Sequence, residues 1–368
     1  MFNLGRNKHA LLGIDISSTS IKLVELARTG SYSSGMYRVE SFALEPLPVG
    51  AVVEKKIADA EVVGGAIQKA LQRSRSKTRQ AAVAVPASAA ITKSIAMSAE
   101  LSESEMEAQI QLEADQYIPY PLEEVNLDFD ILGPSAVSSG MVDVLLAASR
   151  RENVDDRVAA LEFAGLTAEV VDIETYAMEN ACALQLANID DALEAKIIAV
   201  ADVGATTTTL HVLHGGAIVY TREQNFGGNQ LLSDLQRRYD LSVEEALAGL
   251  NQPAAAQPNL LAKGGLPENA ETEVVGPFKE ALAQQVSRAL QFFYSASSFG
   301  RTDQLILAGG AARLLNIADL VEQRLGFPVQ VANPFEDMAL ARGVDRDGLE
   351  RAAPGMMIAV GLALRGFN

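Results

Sequence analysis

The chain has 368 residues, 48% of them hydrophobic, and its 47 acidic against 30 basic side chains give a formal net charge of −17. That length allows two or more domains with cores of their own, and that apolar share excludes a disordered chain. The charge excludes a nucleic-acid partner, which needs a basic face, and no apolar run reaches the roughly 20 residues of a membrane span. The opening MFNLGRNKHALLGIDIS passes directly into a strand with no signal-peptide apolar region, so the expectation is a cytoplasmic protein. Cys182 is the only cysteine, which excludes a disulfide framework and a cysteine-based metal site.

In chain order, residues 9–30 read as a β-hairpin and 37–44 as a further strand. Val63, Ile67, Ala70 and Leu71 recur at helical spacing within Ala58–Arg73. The basic loop Arg73, Arg75, Lys77 and Arg79 reads as a solvated connection, with an anionic membrane surface or an acidic partner as the rival reading. Ala81–Pro86 is a short buried strand ended by Pro86. From Ile91 the pattern changes. Strand Ile91–Met97 leads to a helix with a capping box, Ser102 and Glu105, which runs to about Tyr117 with Met106, Ile110 and Tyr117 on one face. Strands Val125–Leu132 and Met141–Ala148 follow, then a helix Arg151–Ala164 expected to carry Val154, Val158 and Leu161 inward. This strand–helix–strand–strand–helix block of about 75 residues predicts an inserted α+β subdomain. The first pattern returns with strand Ala168–Ile173, helix Glu174–Leu186 and a second hairpin from Lys196, continued through a Gly215-Gly216 turn. Gly227 to Phe299 is mostly helical, interrupted by an exposed loop at Asn251–Ala262, and Leu282, Val286, Leu290 and Phe293 form a buried stripe. Strand Gln304–Leu307 runs into Ala308-Gly309-Gly310-Ala311, and a last helix spans Pro354–Leu364.

The two hairpins match each other. LLGIDISSTSIKLVEL (11–26) lies over IAVADVGATTTTLHVL (198–213), with Asp15 on Asp202 at the end of an apolar strand before a polar turn. An aspartate there can hold the water shell of Mg²⁺, and the turn's N–H groups and hydroxyls can cradle phosphate oxygens. Either aspartate alone also reads as a turn cap. Together, the two loops imply a duplicated fold gripping a nucleotide from both sides. Ser17, Ser18, Thr19 and Ser20 supply hydroxyls on one side, and Gly204, Ala205, Thr206 and Thr207 face them on the other, Gly204 allowing close backbone approach. Lys22 is either a phosphate contact or an outward-facing lysine. Gly309-Gly310 leaves room for a planar base, and Gly227-Gly228 can approach the same base or its ribose; each pair alone also reads as a turn. Glu174 either complements a helix dipole or orients an attacking water. His211 and His214, three apart on a strand, face opposite ways and cannot share a metal. Cys182 sits among Ala and Leu on a helix and reads as core.

Asp15 with Ser17–Ser20 and Lys22 resembles the phosphate-1 loop of the actin/Hsp70/sugar-kinase superfamily. Asp202, Gly204, Thr206 and Thr207 resemble its phosphate-2 loop, Gly309 and Gly310 its adenosine loop, and the helices at Glu174 and Pro354 its two connecting helices. The resemblance implies an α/β, duplicated actin-like ATPase fold of two ribonuclease-H-like lobes. ATP would lie in the cleft between them, with Mg²⁺ held through water by Asp15 and Asp202. Glu174, in DIETYA, matches the water-orienting carboxylate of chaperone members. The insert resembles the FtsA-type subdomain. The segments QYIPYPLEEVNLDFDILGP, FGGNQLLSDLQRRYDLSVEEA, PFKEALAQQVSRALQFFY and VANPFEDMAL are more similar to PilM, a family of cytoplasmic actin-like proteins of type IV pilus assembly.

That resemblance implies a first lobe (1A) at 1–88 and 166–195 and an insert (1C) at 89–165. The second lobe (2A) would take 196–222 and 303–368, and a helical subdomain (2B) 223–302. It implies an ATP-binding scaffold with at most slow ATP hydrolysis, peripheral at the inner membrane. Its partner would be the N-terminal cytoplasmic tail of the inner-membrane protein PilN, in the groove between 1A and 1C. Other pilus inner-membrane and motor components, and further copies of the chain, are also implied as contacts. The alternatives are an FtsA-like division protein and an ATPase or small-molecule kinase of the same superfamily. FtsA carries a C-terminal amphipathic membrane helix, whereas LALRGFN follows directly on the last connecting helix here. A nucleotide-contacting lysine is expected soon after Glu244-Glu245-Ala246, where Ala248, Gly249 and Leu250 stand instead. Either Asn251–Ala262 is an insertion and Lys263 takes the role, or the contact is lost.

Overall fold

Apolar strands that are buried on both faces set the frame, and the frame is built twice. A computed structural model describes residues 10–29, 36–135, 138–186, 196–250 and 265–367; Lys263 and the loop expected at Asn251–Ala262 lie outside them. The first part of the chain forms β1 (Leu12–Ile16), β2 (Ser20–Arg28) and β3 (Tyr37–Pro46), then a small hairpin of β4 (Val52–Val53) and β5 (Lys56–Ile57). Helix α1 (Ala60–Ser74) and β6 (Gln80–Val85) follow. The inserted block comprises β7 (Ala90–Ser98), α2 (Glu103–Glu113), β8 (Val125–Pro134), β9 (Met141–Arg150) and α3 (Arg151–Phe163), and β10 (Thr167–Ile173) and α4 (Glu174–Leu186) return to the frame. The second part forms β11 (Ile197–Val203), β12 (Thr208–His214), β13 (Ala217–Gln224), α5 (Gly228–Tyr239), α6 (Val243–Leu250) and α7 (Gly276–Ala296). It ends with β14 (Gln304–Ala308), α8 (Ile317–Leu325), β15 (Val329–Val331), β16 (Ala339–Leu340), α9 (Arg346–Ala352) and α10 (Met357–Leu364).

The first sheet runs β10-β6-β1-β2-β3-β16 and the second β13-β12-β11-β14-β15. In each, three antiparallel strands lead to two parallel ones, β6 and β10 in the first and β14 and β15 in the second. The common pattern is the duplication that the paired hairpins imply. A third sheet, β7-β9-β8, belongs to the insert and is wholly antiparallel. Helix α2 packs on it through Met106 and Ile110, and its capping box of Ser102 and Glu105 forms as expected.

The chain divides into two compact units, 1–180 with 338–344 and 358–368, and 181–337 with 345–357. This differs from a second lobe containing all of 303–368. Residues Ala339–Leu340 add a parallel strand beside β3, and α10 lies on β1 so closely that a Cβ on Gly13 would stand 1.9 Å from the Ala359 carbonyl. Only glycine allows that approach. A second difference concerns α3, which follows β9 with no connecting loop. Its buried face is Asn153, Arg157, Ala160 and Leu161, while Val154 and Val158 are half-buried. Ala160 and Leu161 join the core of the first sheet with Leu12, Ile14 and Ile67. Among the described residues no helix is long and apolar enough to cross a membrane.

Candidate functional site

The two hairpin turns close in the same way. In the first, the Ser17 N–H donates to the Ser20 carbonyl at 3.1 Å; in the second, the Gly204 N–H donates to the Thr207 carbonyl at 2.9 Å. In each register four residues separate the last paired positions, Ile16 opposite Ile21 and Val203 opposite Thr208. Asp15 then stands opposite Lys22, and Asp202 opposite Thr209, at corresponding places.

In the first turn, the Ser17 hydroxyl donates to the Ser20 carbonyl at 2.8 Å and lies 3.2 Å from the Ser20 hydroxyl, so both serve the turn itself. Thr19 is exposed at the tip and Ser18 is half-buried beside it. Asp15 is only 4% exposed, and Lys22 Nζ lies 2.6 Å from its Oδ2. Lys22 is therefore not an outward-facing lysine; it neutralises a buried carboxylate that would otherwise be costly to desolvate.

Strands β1, β6 and β10 are parallel, so their C-terminal ends point one way, the usual ligand side of such sheets. Asp15 is at the end of β1, Ala84 at the end of β6, and Glu174 opens α4 directly after β10. Glu174 is gripped by Lys55, with Nζ 3.4 Å from Oε2 and both side chains 17% exposed. Arg157, 2% exposed, reaches the same region from α3. Its Nε donates to the Ala84 carbonyl at 2.6 Å, Nη1 to Asn153 at 2.8 Å and Nη2 to Lys55 at 3.2 Å. Burial pushes its guanidinium down from the ordinary arginine value, and the carboxylates of Glu174, Asp156 and Asp15 oppose that shift. Two residues before Glu174, burial pushes the Asp172 carboxyl up, against the opposing pull of Arg365 at 3.3 Å and the Ile173 N–H. The sequence reading missed Lys55 and Arg157. The available signal for Arg157 was its place on a stripe of small residues, Asn153, Arg157, Ala160 and Ala164, at helical spacing.

In the second unit, Gly309 has φ +87°, and a Cβ there would stand 2.3 Å from the Val203 carbonyl and 2.6 Å from Asp202 Oδ1. That crowding accounts for a glycine at 309 without reference to a base. At Gly310 a Cβ would meet nothing within 4 Å, so that side is open. Gly227 is explained similarly, since a Cβ would lie 2.5 Å from the Ala205 carbonyl. The N–H groups of Gly228 and Asn229 donate to the Gly204 and Ala205 carbonyls at 2.9 and 2.8 Å, docking α5 on the turn. Thr206 is exposed and Thr207 half-buried. His211 bonds Thr221 at 3.0 Å, while His214 lies against Phe299 with ring centroids 5.0 Å apart. Cys182 is buried.

Among the described residues no three His, Cys, Asp or Glu side chains gather as a metal cage. A single carboxylate such as Asp15 or Asp202 would leave a bound ion most of its own water, the way Mg²⁺ is commonly held. The donor set, carboxylates at strand ends beside hydroxyl-bearing turns, fits a hydrated Mg²⁺–polyphosphate.

The chain matches the family model for the type IV pilus assembly protein PilM over residues 13–367. It is similar to the solved PilM-PilN type IV pilus biogenesis complex, with 26% identity and a TM-score of 0.77 over 98% of this chain and 100% of that one. It is also similar to the ethanolamine utilization protein EutJ from Carboxydothermus hydrogenoformans, with 17% identity and a TM-score of 0.55 over 99% and 91% of the two chains, a likeness of fold. The fold is thus the duplicated actin-like α/β fold with an inserted α+β subdomain. With a match that runs from the first strand to the last helix, the chain belongs to the PilM family of type IV pilus assembly proteins.

Proposed function

We propose that the protein is a nucleotide-binding scaffold of type IV pilus assembly that captures the N-terminal cytoplasmic tail of PilN. The observation that carries this reading is the end-to-end similarity to a PilM-PilN complex, which covers 98% of this chain, the insert included. The insert offers a surface suited to such a segment. Its outer strands β7 and β8 each pair on one side only, and an extended peptide can add to a free edge or fill pockets beside it. A shallow apolar depression lies on the insert itself, lined by Ala89, Ile91, Ile118, Tyr120, Val125 and Arg150 among others. Arg150 covers the Tyr120 ring at 4.2 Å, a ready-made lid of cation and aromatic face. The reading puts the tail along this face of the insert, on the 1C side of the groove expected between 1A and 1C, and brings the protein to the inner membrane through it.

The second part of the reading is that the hairpins hold ATP. Asp15 in the first unit and Asp202 in the second would each hold a Mg²⁺ ion through its water. Of the turns Ser17–Ser20 and Gly204–Thr207, the outer residues Ser18, Thr19, Thr206 and Thr207 would face phosphate oxygens, the Ser17 and Gly204 N–H groups closing the turns themselves. Lys22 stays beside Asp15 and supplies positive charge to the same phosphates. Glu174 orients water, and Gly310 leaves the open side on which an adenine can lie. When bound, the metal neutralises phosphate charge. Lys263 stands outside the described residues and keeps its two readings.

Titration calorimetry with a synthetic PilN-type N-terminal peptide, with and without Mg-ATP, tests both parts. Saturable peptide binding supports the scaffold, and a change in affinity on adding Mg-ATP measures the coupling between sites. No peptide binding, together with ATP turnover onto a small acceptor, would sink the scaffold reading.

A further inference from the structure

We infer that Lys55 is a further contact for the terminal phosphates of the nucleotide, and that Arg157 is the positioning residue that sets it there; this rests on the proposed ATP site. Lys55 and Glu54 are the two central residues of the β4–β5 hairpin, and both are left-handed, at φ 64° and 49°. A two-residue turn of that kind favours Asn-Gly or Asp-Gly, and each ordinary residue held so is strained. A Lys–Glu pair at a partly exposed site contributes little and does not explain such a turn. Observed strain of this kind points to a positional demand on the side chain.

What holds the tip is unusual in itself. A fully buried arginine spends Nη2 on the Lys55 carbonyl and Nε on the Ala84 carbonyl, tying the hairpin to the end of β6. The effect is to fix Lys55 over Glu174, at the same end of the sheet as Asp15 and Lys22 with β6 between them. In a chain with net charge −17, three cations, Lys22, Lys55 and Arg157, converge on one end of one sheet. Lys22 and Lys55 each lie on a carboxylate that the ATP reading assigns to metal water or attacking water. Phosphate oxygens offer each lysine an equivalent charged partner when its carboxylate turns to water.

The test compares Mg-ATP with AMP, which lacks the terminal phosphates, by calorimetry on the full chain. Lys55→Ala should weaken Mg-ATP by about ten-fold to a hundred-fold, the loss of one charge-assisted contact, and leave AMP unchanged. Lys55→Arg should restore most of that affinity. Lys56→Ala removes the same charge from the neighbouring exposed residue, 3.7 Å from Glu152, and should leave both ligands unchanged. Arg157→Lys should reproduce the selective loss of Mg-ATP, whereas a merely structural arginine would weaken ATP and AMP alike. Wild-type Mg-ATP affinity in Lys55→Ala, or equal losses for ATP and AMP, overturns the role of Lys55. Failure of the unaltered protein to bind Mg-ATP overturns the ATP site itself.

Discussion

Helix α1 carries two adjacent glycines whose replacement should act in opposite directions. Each lies inside the helix, so each Gly→Ala change gains about 0.8–1 kcal/mol of helix propensity. At Gly65 a Cβ meets nothing within 4 Å, so that gain stands alone. At Gly64 the Cβ would lie 2.7 Å from Phe163 Cβ and 2.8 Å from the Ala160 carbonyl, both on α3. Carbon contacts settle near 3.5–4.0 Å, so α1 and α3 must part by roughly 1 Å. Overpacking of this sort costs about 1–3 kcal/mol. The propensity gain cancels between the two variants, and the gap between them is therefore the steric cost alone, about 1–3 kcal/mol with Gly65→Ala the more stable. Urea titration of the full chain, followed by far-ultraviolet circular dichroism, reads this as two midpoints on either side of the wild type or as Gly65→Ala alone above it. A midpoint for Gly64→Ala equal to or above that of Gly65→Ala would refute the close packing of α1 on α3.

Two further changes probe the strand ends. Gly309→Ala combines a φ of +87° with contacts of 2.3 Å to the Val203 carbonyl and 2.6 Å to Asp202. It should lower stability by about 2–5 kcal/mol, while Gly310→Ala shifts it by less than about 0.5 kcal/mol; equal losses in thermal melts would contradict the crowding at 309. Asp172→Asn tests linkage. Burial raises the Asp172 pKa in the folded state, so folding holds its proton, and stability is lost as pH rises from the ordinary carboxylate range through the raised value. The wild type should therefore lose ground relative to Asp172→Asn as pH rises above the ordinary carboxylate range, and a wild-type stability relative to Asp172→Asn that stays flat or increases with pH refutes the assignment.

How much of the fold was legible follows from how local each signal is. The hairpins were legible because strand, turn and strand lie within sixteen residues, and because β1 and β11 read as unbroken apolar runs save for their aspartates. The insert was legible from its capping box and its change of pattern at Ile91. The β4–β5 hairpin was not, because its strands have two residues each and its turn is Glu54-Lys55, with no glycine or asparagine to announce it. Nor was β16, whose two residues become a strand only through β3. The burial of α3 shows the same limit in a helix. Valines at 154 and 158 outrank an asparagine and an arginine on any hydropathy scale, and periodicity alone gives them the inward face. The inward face is instead set by contacts: α1 presents Gly64 to the Ala160 carbonyl and Phe163, and Arg157 is admitted because three backbone carbonyls accept from its donors. Lys55 and Arg157 escaped notice for the same reason: each acquires its meaning from a partner distant in sequence, at Glu174 for the lysine and at Ala84 and Lys55 for the arginine. A site read from sequence thus contains the residues that share a turn. Those that hold the turn's surroundings in place become visible only once the parallel strands have brought their ends together.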